Sequence, residues 1–194
     1  MGAHECIAIA GPSGSGKSDL AYRIRGGLVL EMDDYFRDFS HADYYLDPDW
    51  DTPRAYDLDL LTAHAKALLA GEEVELVRFH FREGTRRTDR RVSLAPGQPL
   101  IVEGLYAFAL ALPWTLKIFI EVSFPEMVER CLPRDQAERG RADLKKLLGM
   151  YEQSWRKYES ELFPQRERAD VVLASDWGTR LPKELDVPAL RAST

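Results

Sequence analysis

The sequence predicts an α/β fold in three layers, a mostly parallel sheet flanked by helices. Three observations carry that prediction. Short apolar runs of strand length alternate with segments of helical period. The first run, Cys6 to Ala10, opens onto Gly11-Pro12-Ser13-Gly14-Ser15-Gly16-Lys17-Ser18, which fits the phosphate-loop pattern G-x-x-x-x-G-K-[ST]. Acidic residues stand at the ends of later runs, where open α/β sheets bind their ligands.

Taken in order, Cys6 to Ala10 is apolar at every position, as in a strand buried on both faces. The phosphate loop follows, its glycines letting backbone N–H groups curl around a polyphosphate, and a helix begins at Lys17 and is expected to stop at Gly26-Gly27. Leu28 to Met32 reads as a second strand that delivers Asp33 and Asp34 at its C-terminal end. Phe39 to Pro53 has no clear period and reads as a loop. From Tyr56 to Ala70, Leu58, Leu61, Ala65, Leu68 and Leu69 recur at helical spacing, and Gly71 ends the segment. A basic, β-rich excursion occupies about 74–95. Leu100 to Gly104 and Leu116 to Val122 are further core strands, the first ending in Glu103. Ser123 and Glu126 form a capping box for a helix that Pro133 should end or kink. Leu144, Leu147, Leu148, Tyr151, Trp155 and Tyr158 give a helical stripe whose aromatic rings read as core. Ala169 to Ala174 is a last strand, and the tail after Asp176 shows no readable organisation.

The 194 residues suit a single domain, 1–194, with a lid expected at about 133–142. A net charge of -6 argues against a broad nucleic-acid or membrane-surface footprint. The longest apolar patch, Leu105 to Trp114, is about half the ~20 residues a membrane span needs. Cys6 and Cys131 read as buried thiols of a reducing compartment, and with no signal-peptide layout the expectation is a cytoplasmic protein.

Phosphoryl transfer to a hydroxyl needs charge neutralisation, in-line placement and a group to accept the proton. In a P-loop NTPase fold, Lys17 reaches the terminal phosphates, while the Ser18 hydroxyl and Glu103 hold Mg²⁺ with ATP. Asp33 is the candidate proton acceptor, with Asp34 as its competitor. Arg134, Arg139 and Arg141 surround Gly140 in a segment too charged to be core. Guanidinium forks there suit a lid over phosphates.

Together these stretches resemble the uridine kinase family of P-loop nucleoside kinases, related to phosphoribulokinase and bacterial pantothenate kinase. The matching pieces run in order from about residue 5 to 175. They are the loop Gly11 to Ser18, Met32-Asp-Asp-Tyr-Phe36, Asp49-Trp-Asp-Thr-Pro-Arg-Ala55 with Asp57, Val102-Glu-Gly104, Lys117-Ile-Phe-Ile120, Arg134-Asp135 with Glu138-Arg-Gly-Arg141, and Ala169-Asp-Val-Val172. The resemblance implies that Asp33 takes the proton from an acceptor 5′-hydroxyl and that Asp51 holds a sugar diol. It also implies that Glu103 serves the metal and that Arg134, Arg139 and Arg141 form the lid, with Arg141 near the substrate. Family members are often homo-oligomers.

The departures fall on the acceptor side. Phe79-His80-Phe81 replaces the family's Tyr-Asp-Phe, which leaves Phe79 and His80 as the substrate-side candidates. Met150 stands where the family carries a glutamine that reads the pyrimidine. The expected reaction is therefore ATP-dependent 5′-phosphorylation of a nucleoside. The alternatives are a pantothenate, sugar or sugar phosphate acceptor, favoured if the arginines between Arg86 and Arg91 face the pocket, or a regulatory module that binds ATP without transfer.

Overall fold

The computed structural model describes residues 4–38, 51–137, 139 and 142–192. Strand β1 (Cys6–Ala10) lies at the centre of a five-stranded sheet of order β2-β5-β1-β6-β7, formed with β2 (Leu28–Glu31), β5 (Leu100–Glu103), β6 (Leu116–Ile120) and β7 (Val171–Leu173). Every pairing described in this sheet is parallel. The unbroken apolar run of β1 is explained by the two cores it serves. Cys6, Ala8 and Ala10 pack on one face with Met32, Val102 and Phe119, whereas Ile7 and Ile9 pack on the other with Leu20, Ile24, Ile118 and Trp177. Each fully buried Ile or Leu contributes about 1.5–3 kcal/mol.

Helix α1 (Lys17–Arg23) starts where expected but ends short of Gly26-Gly27. The reason lies far downstream: the Leu185 N–H donates to the Arg23 carbonyl and the Arg25 N–H to the Leu185 carbonyl, capturing groups that another helical turn would have used. Helix α2 (Leu58–Leu69) is capped by Asp57, which accepts from the Leu60 N–H at 3.2 Å, and buries Leu61, Ala65 and Leu68. The excursion is an antiparallel hairpin of β3 (Val74–His80) and β4 (Thr85–Val92), separate from the main sheet.

Helix α3 (Phe124–Ala137) continues past Pro133 to Ala137, so of the expected end or kink the end does not occur there. The backbone carbonyl that loses its partner belongs to Glu129, on an exposed turn where water can replace the missing donor. At its start the Glu126 carboxylate accepts from the Ser123 N–H at 2.9 Å and from the Ser123 and Ser175 hydroxyls. These donors hold its carboxyl well below the usual range, at about 2.

Helix α4 (Leu144–Lys157) is capped by Asp143. Its buried side is narrower than the stripe, because Leu144 and Leu148 face outward. The chain then widens into a turn, Tyr158–Leu162, in which the Phe163 N–H reaches back to the Tyr158 carbonyl. The tail is organised after all, into α5 (Trp177–Arg180) and α6 (Val187–Arg191). Both cysteines are free and buried. Among the described residues no helix is long and apolar enough to cross a membrane.

Candidate active site

The phosphate loop leaves β1 and feeds α1 at the C-terminal edge of the sheet. Gly11 is obligatory, because a Cβ there would drive into the Ile120 carbonyl. Gly16 has a φ of 91° and presses on the Trp177 indole, which would lie 3.1 Å from an added Cβ. Two supports hold the loop from outside. Trp177 Nε1 donates to the Ser15 carbonyl at 3.2 Å. Arg130 donates to the Gly14 carbonyl at 3.1 Å and to the Ser175 carbonyl at 3.2 Å. Inside the loop, Lys17 Nζ folds back to the Pro12 carbonyl at 3.0 Å.

Glu103 ends β5 beside this loop, in register with Ile9 of β1. Its Oε1 accepts from the Ser18 hydroxyl at 2.7 Å, so the sequence-predicted metal pair is brought together. Burial pushes the Glu103 carboxyl up to about 7, against the opposing pull of Lys17. The unfolded chain therefore ionises this group first. The contribution of Glu103 to stability is fully present below about pH 4.5 and is lost as pH rises through about 7, a change on the order of 3 kcal/mol. Asp34, raised to about 6 by burial, adds a loss of the same sign. Urea unfolding between pH 4.5 and 8 should show the decline in ligand-free protein, and Glu103→Gln should flatten part of it. An equal slope in parent and variant would remove Glu103 as its source.

The two adjacent acids after β2 are sorted by the tight 3-10 turn Met32–Tyr35 that carries them. The Asp34 carboxylate accepts from the Phe79 N–H at 3.2 Å and thereby pins the hairpin to the body. Asp33 remains partly exposed, 3.4 Å from Arg139 Nη2. The Arg139 guanidinium also lies 4.2 Å over the Phe81 ring.

Arg134 and Arg139 converge on Asp135, a carboxylate only 1% exposed. Arg134 Nε and Nη2 donate to its Oδ1 at 3.1 and 3.0 Å, Arg139 Nε lies 3.6 Å from the same oxygen, and the Tyr151 hydroxyl donates to Oδ2 at 3.1 Å. Asp51 is reached by two phenols: the Tyr106 hydroxyl donates to its carbonyl at 2.5 Å, and the Tyr158 hydroxyl to its Oδ2 at 2.8 Å. Ser13, Asp51, Arg134, Arg139, Tyr151 and Tyr158 wall one cavity of about 30 Å³ together with Met127, Cys131, Asp135, Met150 and Ser154. With the arginines folded inward it has room for little more than a water molecule.

Other expectations fare differently. Arg141 lies outside the described residues, as does most of the loop expected at 39–53. Phe79 is buried among Phe36 and Phe81, at ring distances of 5.4 and 5.1 Å, so its side chain belongs to the core, and it is Phe81 that meets the Arg139 guanidinium. His80 sits at the hairpin turn, its carbonyl accepting from the Gly84 N–H at 2.8 Å. The reading of the aromatics from Tyr151 to Tyr158 as core holds for the buried rings of Tyr151 and Tyr158, and their hydroxyls in addition reach Asp135 and Asp51 at the cavity. Residues that the sequence reading missed are Tyr106, Arg130 and Trp177, none of which carries a local signal of its partner.

Comparison with known proteins agrees with this layout. The sequence model of the Phosphoribulokinase / Uridine kinase family matches residues 6–176. A uridine kinase from Shewanella pealeana is 30% identical, with 95% of each chain covered. One from Deinococcus deserti is 32% identical, with 86% of each chain covered. In three dimensions, phosphoribulokinase from Rhodobacter spheroides superposes with a TM-score of 0.60 at 18% identity, covering 89% of this chain and 70% of that one, a likeness of fold. The chain belongs to the Phosphoribulokinase / Uridine kinase family and is a kinase that transfers a phosphoryl group to a hydroxyl acceptor of nucleoside or sugar type.

Proposed function

We propose that the protein is a Mg-ATP-dependent nucleoside kinase acting on the 5′-hydroxyl of a pyrimidine riboside. The observation that carries this reading is the shared cavity, in which loop residue Ser13, the diol-type acid Asp51 and the lid arginines Arg134 and Arg139 face one another. A phosphate donor and a sugar acceptor would each meet suitable groups there.

The Ser18 hydroxyl and the Glu103 carboxylate are hard oxygen donors held side by side, which suits Mg²⁺. Among the described residues no group of three or more His, Cys, Asp or Glu could hold a metal, so ATP oxygens and water would complete its shell. When bound, the ion neutralises charge on the β and γ phosphate oxygens. Lys17 and the loop N–H groups hold those phosphates. Asp51 orients the sugar by accepting from its 2′ and 3′ hydroxyls. The 5′-oxygen bonds to the γ phosphorus as the bond from that phosphorus to the bridging oxygen breaks, and its proton passes to Asp33. Arg134 and Arg139 face the charge of the transferring group.

An anionic acceptor is less well supported. Three of the four arginines from Arg86 to Arg91 are engaged with acids: Arg86 with Asp57 at 3.1 Å, Arg87 with Glu83, and Arg91 with Glu75 at 3.5 Å. A purely regulatory module would have no use for a proton acceptor at Asp33.

The test is acceptor-dependent ADP formation with Mg-ATP across uridine, cytidine, other ribosides, pantothenate and sugar phosphates. Uridine or cytidine should turn over, and Asp51→Ala should raise the acceptor KM roughly 10- to 100-fold, as expected for lost hydrogen bonds to a charged group. Turnover confined to another acceptor would move the substrate. Silence on all of them with ATP still bound would replace the enzyme reading with the regulatory one.

A further inference from the structure

Tyr158 joins two parts of the site that the sequence keeps far apart. Its hydroxyl oxygen lies 2.8 Å from Asp51 Oδ2 and 3.2 Å from Ser13 Oγ, across separations of 107 and 145 residues. The ring is 1% exposed, and a phenol so buried needs a partner for its hydroxyl. It sits where α4 passes into the wider turn Tyr158–Leu162, and such widened turns are frequent at functional positions.

The hydroxyl has one proton for two neighbouring oxygens. A carboxylate only accepts, so the proton belongs on the shorter, charge-assisted bond to Asp51. The Ser13 hydroxyl can then donate into the tyrosine oxygen, giving one direction of donation, Ser13 to Tyr158 to Asp51. The phosphate loop and the acceptor-side acid thus share one hydrogen-bonded unit. A ligand that immobilises either end orders the other before its own ligand arrives.

We infer that Tyr158 is a positioning residue that couples the phosphate loop to Asp51, so that nucleotide and acceptor each tighten the binding of the other. This rests on the reading of Asp51 as the acid that holds the acceptor.

The first arm measures the Kd of a non-hydrolysable ATP analogue with and without saturating uridine. In the parent, uridine should tighten the analogue about tenfold, within the usual range of coupling between sites. In Tyr158→Phe, which keeps the ring, the tightening should fall below about twofold. The second arm needs no acceptor. Asp51→Ala should change the analogue Kd about fivefold in the parent background and leave it unchanged in the Tyr158→Phe background, because the effect travels through the hydroxyl. Full tightening retained in Tyr158→Phe would overturn the inference, and so would an analogue Kd indifferent to Asp51→Ala. If uridine does not bind but the acceptor-free cycle shows the coupling, the nucleoside reading fails and the Tyr158 link stands.

Discussion

Replacing Asp33 by asparagine is expected to lower kcat by about two to four orders of magnitude, the usual contribution of a positioned general base. Nucleotide affinity should stay within a few-fold, because the loop, Lys17 and the Ser18–Glu103 pair are built from other elements. The neighbouring Asp34→Asn should behave differently. Its carboxylate holds the Phe79 N–H, so that change should loosen the hairpin and lower Tm before it touches the chemical step. Steady-state kinetics beside thermal unfolding of both variants separates the two roles. A loss in Asp33→Asn smaller than about tenfold would remove Asp33 from proton transfer.

Asp135→Ala should give the largest loss of stability, about 3–5 kcal/mol, the cost of removing one partner from a buried ionic cluster. The carboxylate is almost wholly buried and gathers Arg134, Arg139 and the Tyr151 hydroxyl, so its removal strands two guanidinium groups next to each other. At about 2–4 °C per kcal/mol for a chain of this size, Tm should fall by roughly 6–20 °C. Asp135→Asn keeps an acceptor oxygen and should cost less, while still releasing the arginines from their counter-charge. Urea unfolding of the three proteins measures the difference. A Tm unchanged in Asp135→Ala would mean that water already screens the cluster.

Asp33 and Glu103 were legible because strand ends are where a parallel sheet presents its chemistry, and the phosphate loop because its glycines and Lys17 are adjacent in sequence. Tyr158, Asp135 and Trp177 were harder. Each acts through a partner on another element, and helical period reports only which side of a helix is apolar, never what a buried hydroxyl or carboxylate will meet. Leu144 and Leu148 show the same limit from the other side, fitting the stripe yet lying outside the packed face. Helix α1 stopped early for a similar reason: residues around Leu185 intercept its last backbone groups, and nothing near Arg23 announces them. Pro133 misled because its lone missing bond falls on an exposed turn, where interruption is cheap.

The contact between Trp177 and the phosphate loop also sets an order of events during synthesis. The indole supports Ser15 across 162 residues, so the loop is synthesised well before the segment that completes it. At about 5–20 residues per second, the loop waits roughly 8 to 32 seconds for its support. During that interval the β1 strand and its glycines can form local structure, but the backbone curl over Gly16 has nothing behind it. Nucleotide can therefore act as a folding ligand for this chain only late, once the tail has emerged and closed onto the loop.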